Sequence, residues 1–488
     1  MKIELNRKAK IPLSKQIYQE ISDRILSGYF PSGTRLPSIR KLAKELGVSP
    51  VTVTEAFQRL VKDQLITTIQ GKGAYVNQLS ATYQMKKEKS QLIDFPDYLH
   101  RSQSLHYSEH PAPISFSLSI VDPQLLPSSF LAQSVQQVIE SDPEVLVQYG
   151  EVQGDYTLRK AFSQYLGREK ITVDPSEILV TNGSHQGIDL VARCFLGPSD
   201  VVITEEATYS GAIDIFRSRG AIVIPIPMDE HGLSIKHLIQ TLDHYTPKLV
   251  YTMPTFQNPT GRVMSRRRRQ ELLELAEEMN FLILEDDPWS EIYFDEPPPP
   301  HIKSFDKKGY VIYLKGLSKM LAPGCRVGFL TAEKSILRRL LATKTNADMG
   351  NPLLNQRIIL PIFQNDWMDR FLHQLRTELH LRRDLTLQLL QQHASTTLKW
   401  IIPKGGFNLW VTLPEEINTI DLLFHVKQKG IDFFPGSACY PVDFQTNHLR
   451  LSFSNCTEAQ IKQGIPLLCQ EIDHFLAQPN QHSKQPNF

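Results

Sequence analysis

Apolar residues Ile17, Ile21, Ile25 and Leu26 recur at helical spacing and predict a helix over 14–28, with Ser14 as cap and Gly28 as stop. Pro31-Ser32-Gly33 reads as a turn. A second short helix opens at Leu36-Pro37-Ser38, capped by Ser38, with Ile39, Leu42, Ala43 and Leu46 inward and Gly47 ending it. Ser49 caps a third helix, and Pro50 takes the first helical position, where a missing N–H costs nothing. Val53, Ala56, Phe57 and Leu60 face its core, while Thr52, Glu55 and Arg59 lie opposite. Two short helices joined through Gly47-Val48 make a helix-turn-helix pattern. Leu65–Ile69 and Ala74–Val76 then alternate like strands around Gln70-Gly71-Lys72-Gly73, a hairpin turn with a cation at its tip. Any small helical domain can mimic the helix pair; the wing makes the pattern more specific.

Residues 78–112 have no sustained period and read as a linker, with room for a short helix at Leu92–Leu99. From Ile114 onward, β-branched runs at Ile178–Thr181, Val201–Thr204, Ile222–Ile226, Leu249–Met253, Leu282–Glu285 and Val311–Leu314 alternate with helical stretches such as Gln186–Phe195 and Arg266–Asn280. That order predicts an α/β domain on a largely parallel sheet, with a smaller α+β lobe after about residue 370. The expected organisation is 1–77, a linker at 78–112, a large domain at 113–478 and a polar tail at 479–488. Pro297–Pro300 reads as a stiff loop. Arg266–Arg269, opening a helix capped by Ser265, suits a solvated face or a nucleic-acid contact.

Composition narrows the possibilities. The 488 residues are 41% hydrophobic and 22% charged, ordinary for a folded chain and wrong for a disordered or collagen-like one. No apolar run approaches the roughly 18 residues of a membrane-spanning helix, and Met1–Lys8 is too charged for a signal peptide. Five scattered cysteines show no metal-ligand spacing, so no metal site is expected and the compartment reads as reducing and cytoplasmic. The net charge of +1 hides an asymmetry: residues 1–76 hold 13 Lys and Arg against 6 Asp and Glu, a surplus of 7, so the remainder carries −6. A basic end on an acidic body suits a nucleic-acid-binding module, or a merely solvated face.

Four separated motifs bear on chemistry. Ser318-Lys319, past a strand and followed by Pro323-Gly324-Cys325-Arg326, offers an amine for a Schiff base with a phosphorylated aldehyde. Glu285-Asp286-Asp287-Pro288 ends a strand, where α/β sites gather and a carboxylate can keep a pyridinium nitrogen protonated. Gln257-Asn258-Pro259-Thr260-Gly261 fixes an amide donor beside a proline. Thr181-Asn182-Gly183-Ser184-His185-Gln186-Gly187 is a strand-to-helix turn able to hold phosphate. Each alone is commonplace: a solvated cation, a strand-end loop, a turn.

Leu36-Pro37-Ser38-Ile39-Arg40-Lys41-Leu42-Ala43-Lys44-Glu45-Leu46-Gly47-Val48-Ser49, Thr52-Val53 and Gly71-Lys72-Gly73-Ala74-Tyr75-Val76 resemble the GntR-type winged helix-turn-helix of bacterial regulators. The resemblance implies DNA contacts from Ser38, Arg40, Ser49, Thr52, Arg59, Lys72 and Gly73. Pro50 departs from it, standing where many members place an Arg that reaches DNA. The four motifs in this order resemble the fold type I aminotransferases that use pyridoxal 5′-phosphate. By that resemblance Lys319 holds the cofactor covalently, Asp286 meets its ring nitrogen and Asn258 its phenolic oxygen. Tyr209 stacks on the ring, Ser184, Ser318 and Arg326 bind the phosphate, and His185 is a further cofactor-binding residue. Arg450, in His448-Leu449-Arg450-Leu451-Ser452-Phe453, sits where such enzymes clamp an α-carboxylate, and the Asn258-Pro259 bond is expected cis.

Two departures weigh against turnover: Trp289 replaces a common Tyr, and Gly316 a common Ser or Thr. Together the halves resemble the MocR (GabR-like) family. That implies operator DNA, an amino-compound effector or the cofactor itself as signal, and a domain-swapped head-to-tail homodimer. A working aminotransferase with an attached DNA-binding domain is the alternative.

Overall fold

The computed structural model describes residues 12–26, 34, 36–63, 65–69, 73–77, 112–442 and 445–477. Gly28, the turn at 31–33, Lys72, the stretch 92–99 and the tail 479–488 lie outside them. The chain divides into two compact units, Met1–Pro96 and Asp97–Phe488.

In the first unit, α1 (Leu13–Leu26), α2 (Ile39–Leu46) and α3 (Pro50–Lys62) are followed by β1 (Ile66–Ile69) and β2 (Gly73–Val76). Ile17, Ile21 and Ile25 meet Leu42, Val53, Phe57 and Leu60 in one core, as the helical spacing requires. Ser14 is not the cap expected of it. The helix starts at Leu13, and the Pro12 carbonyl closes the first turn by accepting the Lys15 and Gln16 N–H groups, leaving Ser14 buried inside the helix. Ser38 and Ser49 do cap their helices, accepting the Lys41 and Thr52 N–H groups at 3.3 and 3.2 Å. Gly47 ends α2 at φ 61°, a left-handed conformation that a side chain would strain. β1 and β2 pair antiparallel, and β2 also bonds the segment before α2 through Leu36 N–H to Ala74 O and Val76 N–H to Thr34 O.

The second unit opens with β3 (Ile114–Ser115). It continues through β4 (Ile178–Thr181), β5 (Val201–Glu205), β6 (Ile222–Ile226), a hairpin of β7 (Met228–Asp229) and β8 (Gly232–Leu233), β9 (Pro247–Thr252), β10 (Leu282–Asp287), β11 (Val311–Gly316) and β12 (Gly328–Thr331). Seven of these form one sheet in the order β4-β12-β11-β10-β9-β5-β6. All its pairings are parallel except those of β12, which runs antiparallel between β4 and β11. No sequence signal marked β12. Its reversal matters, because the start of β12 lies beside the ends of β4 and β11.

The α+β lobe is built on an antiparallel sheet of β13 (Lys399–Trp400), β14 (Asn408–Thr412), β16 (Phe434–Pro435) and β17 (His448–Ser452); β15 (Ile431–Asp432) pairs instead with β3. A helix at Trp367–His393 and another at Glu458–Ala477 belong to the same lobe, whose core gathers Phe116, Leu409, Leu449, Leu451, Ile461 and Leu468.

The arginine run at 266–269 is only half a solvated face. Ser265 caps its helix, and Arg266 and Arg267 are exposed. Arg268 pairs with Asp229 at 2.9 Å, and Arg269 is fully buried, donating to the Met264 and Pro254 carbonyls. Among the described residues no helix is long and apolar enough to cross a membrane.

Candidate functional site

On the first unit, Ser38, Arg40, Ser49 and Arg59 stand exposed, with Thr52 and Gly73 half-buried. Thr52 is not a free hydroxyl, since its Oγ1 lies 2.8 Å from Ser49 Oγ. Capping therefore fixes the Thr52 side chain at the start of α3. Val51 is 66% exposed on the same first turn. An apolar side chain there suits a thymine methyl, and no sequence signal distinguishes it from an ordinary exposed helix residue. Lys72 lies outside the described residues.

In the second unit, the C-terminal ends of β4, β9, β10 and β11 bring the four motifs together. Gly183, at φ 78°, turns β4 into the helix Ser184–Phe195. A side chain at 183 would meet the Arg326 guanidinium at 3.2 Å and Ser318 Oγ at 3.5 Å. Arg326 NH1 donates to Ser318 Oγ, and NH2 to the Asn182 carbonyl, each at 3.3 Å. Arg326 itself is left-handed at φ 50°, a conformation costing a non-glycine residue about 1 kcal/mol, placed here at a site rather than in a free turn. Gly183, Ser184, Ser318 and Arg326 thus outline a small cationic cradle at a helix N-terminus, a fit for phosphate. Gly316 belongs to it by what it lacks: a Cβ there would stand 3.2 Å from Ser184 Oγ, so Ser184 fills the space a longer residue would claim.

Asp286 is buried at the end of β10. Its Oδ2 accepts the Tyr251 hydroxyl at 2.7 Å, and Oδ1 has no partner among the described residues. Burial pushes its carboxyl up to about 7. An orphaned carboxylate oxygen is what a ring N–H would satisfy. Tyr251 was not expected; its place on β9, beside Leu284 of β10, is the signal that pairing alone supplies. Lys319 is pulled down to about 8 by burial, and further by Arg450 and Arg326, which favours the neutral amine that attacks a carbonyl. Tyr209 lies 3.4 Å through its hydroxyl from His185 Nδ1, with the rings edge-on at 6.4 Å. Burial raises the Tyr209 phenol to about 12 and lowers the His185 imidazole.

The Asn258-Pro259 bond is cis. Asn258 Oδ1 accepts from Arg450 NH1 at 2.9 Å, which leaves its NH₂ as the donor side. Arg450 is buried, donates through NH2 to the Ser117 carbonyl at 2.6 Å and lies 4.3 Å over the Phe434 ring. Its Nε is unpartnered among the described residues, and burial lowers its guanidinium to about 10. Trp289 takes no part on this side. Its indole N–H donates to the Phe256 carbonyl at 2.8 Å, and its ring packs near Phe407. The orphan atoms of Asp286 and Arg450, the cradle at Gly183 and the lowered Lys319 amine fit a phosphorylated pyridine aldehyde.

Residues 114–467 match the model for aminotransferase class I and II, and residues 13–76 that for bacterial regulatory proteins of the gntR family. The chain is 31% identical over 472 residues to the uncharacterized HTH-type transcriptional regulator YisV of Bacillus subtilis, covering 94% of this chain and 96% of that protein. It is 33% identical over 365 residues to aromatic-amino-acid aminotransferase 1 of Thermococcus litoralis, covering 74% and 88%. The crystal structure of LysN, the alpha-aminoadipate aminotransferase of Thermus thermophilus complexed with N-(5′-phosphopyridoxyl)-L-leucine, superposes with a TM-score of 0.73 at 29% identity, covering 78% of this chain and 98% of that one.

Proposed function

The chain belongs to the aminotransferase class I and II family and carries a gntR-family winged helix at its N-terminus, and from that premise we propose that it is a transcriptional regulator controlled through its cofactor-binding domain. The observation that carries this reading is the presence, in one chain, of an exposed helix-turn-helix face and a buried amine–carboxylate–amide site. The cofactor is pyridoxal 5′-phosphate. It supplies a carbonyl that condenses with amines and a ring that withdraws electrons.

The residues divide the work. Lys319 holds the cofactor through its amine. Asp286 would meet the ring nitrogen with Oδ1 and hold a proton there, while Tyr251 orients the carboxylate through Oδ2. Asn258 offers its NH₂ to the phenolic oxygen, and Tyr209 covers the ring. Ser184, Ser318 and Arg326 line the phosphate side, and His185 stands beside Tyr209. Arg450 takes a carboxylate on its free Nε edge. An amine bound beside Lys319 and Arg450 would shift regulation only by its differential affinity for two arrangements of the protein.

We assign a homodimer, domain-swapped and head-to-tail. Leu146, Val147 and Tyr149, exposed at 59%, 82% and 86% along one short stretch, support a covering partner. We also assign the protein to the cytoplasm, a reading that the DNA-binding unit supports.

The test is footprinting on the chain's own promoter region, with and without cofactor and a panel of amines. Two repeated protected elements, altered by one amine, are expected; no protection overturns the reading. Arg450→Lys should keep cofactor colour and DNA binding but lose the response to a carboxylate-bearing amine, because an ammonium cannot reproduce a two-pronged pair. An unchanged response refutes the clamp. A working aminotransferase is the second reading, favoured by the intact Lys319, Asp286 and Asn258. Multiple turnovers with an amino-acid panel and a keto-acid acceptor would establish it.

A further inference from the structure

Behind the strand end that carries Asp286 lies a cluster of buried charges with no part in the roles above. Asp287, the next residue on β10, points to the opposite face of the sheet, as alternate strand residues do. Its Oδ2 accepts Lys315 Nζ at 2.9 Å and the Ser290 and Tyr313 hydroxyls at 2.6 Å each. Lys315 also donates to Glu291 Oε2 at 2.6 Å and to Ser290 Oγ at 3.2 Å. The Tyr165 hydroxyl holds the other Glu291 oxygen, and His301 stands 3.7 Å from Asp287. Lys315 is fully buried. Burial alone would discharge it, but Asp287 and Glu291 outweigh that and hold it charged.

Its position is specific. Lys315 pairs with Asp287 in the β10–β11 register and lies four positions before Lys319. One ammonium therefore ties the β10 end, which carries Asp286, to the β11 end, which leads into Lys319. It also removes one unit of negative charge behind Asp286, because without it Asp287 keeps only His301 beside it and Glu291 loses its cation.

We propose that Lys315 is a positioning residue for the cofactor: by neutralising one of the two carboxylates behind the sheet and clamping β10 to β11, it keeps Asp286 anionic beside the ring nitrogen and Lys319 in line with it. The proposal rests on the cofactor reading above. The charged and titratable groups around Asp286 are Tyr251, Asp287, Lys315, Glu205 and Tyr209, with Glu291 and His301 behind them against Lys315 and Asp287; those acting on Lys319 are Arg450 and Arg326.

The experiment uses the full-length chain loaded with pyridoxal phosphate, its visible absorbance titrated against pH. Lys315→Met leaves two anions behind Asp286, favours its neutral form and so makes the ring less positive. The cofactor-bound Lys319 nitrogen becomes more basic, and the absorbance midpoint should rise by about one pH unit, with affinity for the cofactor about tenfold weaker. Glu291→Gln alone should move the midpoint down. The double variant Lys315→Met with Glu291→Gln restores the original charge balance without the clamp, and its midpoint should return close to wild type. A purely structural role predicts no such return. A Lys315→Met midpoint at the wild-type value, or a double variant shifted as far as Lys315→Met, overturns the proposal. If Lys315→Met does not fold, a Glu291→Gln midpoint that stays put or rises overturns it instead. A wild-type chain that shows no visible band with added cofactor overturns the cofactor reading, and this proposal with it.

Discussion

The two units hold their working side chains in opposite ways. On α3, Glu55 and Arg59 stand in solvent, and order is imposed from the backbone by Ser49, the Pro50 start and the packed face beneath. At the sheet ends of the large domain, Asp286, Asn258 and Arg450 are buried and already bonded to Tyr251 or to one another. An exposed face reads a macromolecule by summing modest contacts. A buried site holds a small ring by a few groups whose charge states are set by burial. Losses at the first should be graded, and losses at the second near total.

The sharpest test of that contrast is Lys319→Ala. It should abolish the covalently held cofactor and its visible band after dialysis; a surviving band would place the attachment on another amine. Asp286→Asn comes next. With its carboxyl pushed up to about 7 by burial, the folded chain retains a proton that the unfolded chain releases above about pH 4. Asp286 therefore costs stability that grows from about pH 4 to 7 and levels off above. Without cofactor, the asparagine variant should be more stable by about 2–4 kcal/mol at pH 8 and by almost nothing at pH 4, as measured by denaturant midpoints, while binding cofactor more weakly. A variant equally stable at both pH values would show that the carboxylate is not held by burial. Arg40→Ala should weaken operator binding by about 1–3 kcal/mol at fixed salt. Loss confined to certain base substitutions makes Arg40 a base reader; uniform loss assigns it to phosphate. Smallest is Ser49→Ala, expected to lower the stability of the winged helix by about 1 kcal/mol and leave cofactor colour untouched.

The first unit was the more legible in sequence because local rules build it. Ser38, Gly47, Ser49 and Pro50 each announce a helix end, and the inward residues of α3 follow from periodicity. Ser14 misled because a serine near a helix start resembles a cap even when Pro12 supplies the closing carbonyl. In the large domain, the parallel strands and the four motifs were visible, since each motif follows a strand. Tyr251, Lys315 and the buried Arg269 were not. Their roles arise from which face of a strand or helix meets which neighbour, a matter of pairing across residues far apart in the chain. β12 has no clear sequence signature because four residues containing a glycine carry little period of their own.

The hydrogen bond from Arg450 to the Ser117 carbonyl bears on the order in which the protein is made. β3 pairs with β15, Phe116 N–H bonds the Asp432 carbonyl, and Asp122 N–H bonds the Ser454 carbonyl, so the first strand of the large domain is completed by nearly its last. Contacts this distant cannot form until the ribosome has released almost the whole chain, whereas the winged helix has everything it needs within its first eighty residues. A nascent or prematurely terminated chain would thus carry an assembled DNA-binding unit with no closed sensor behind it.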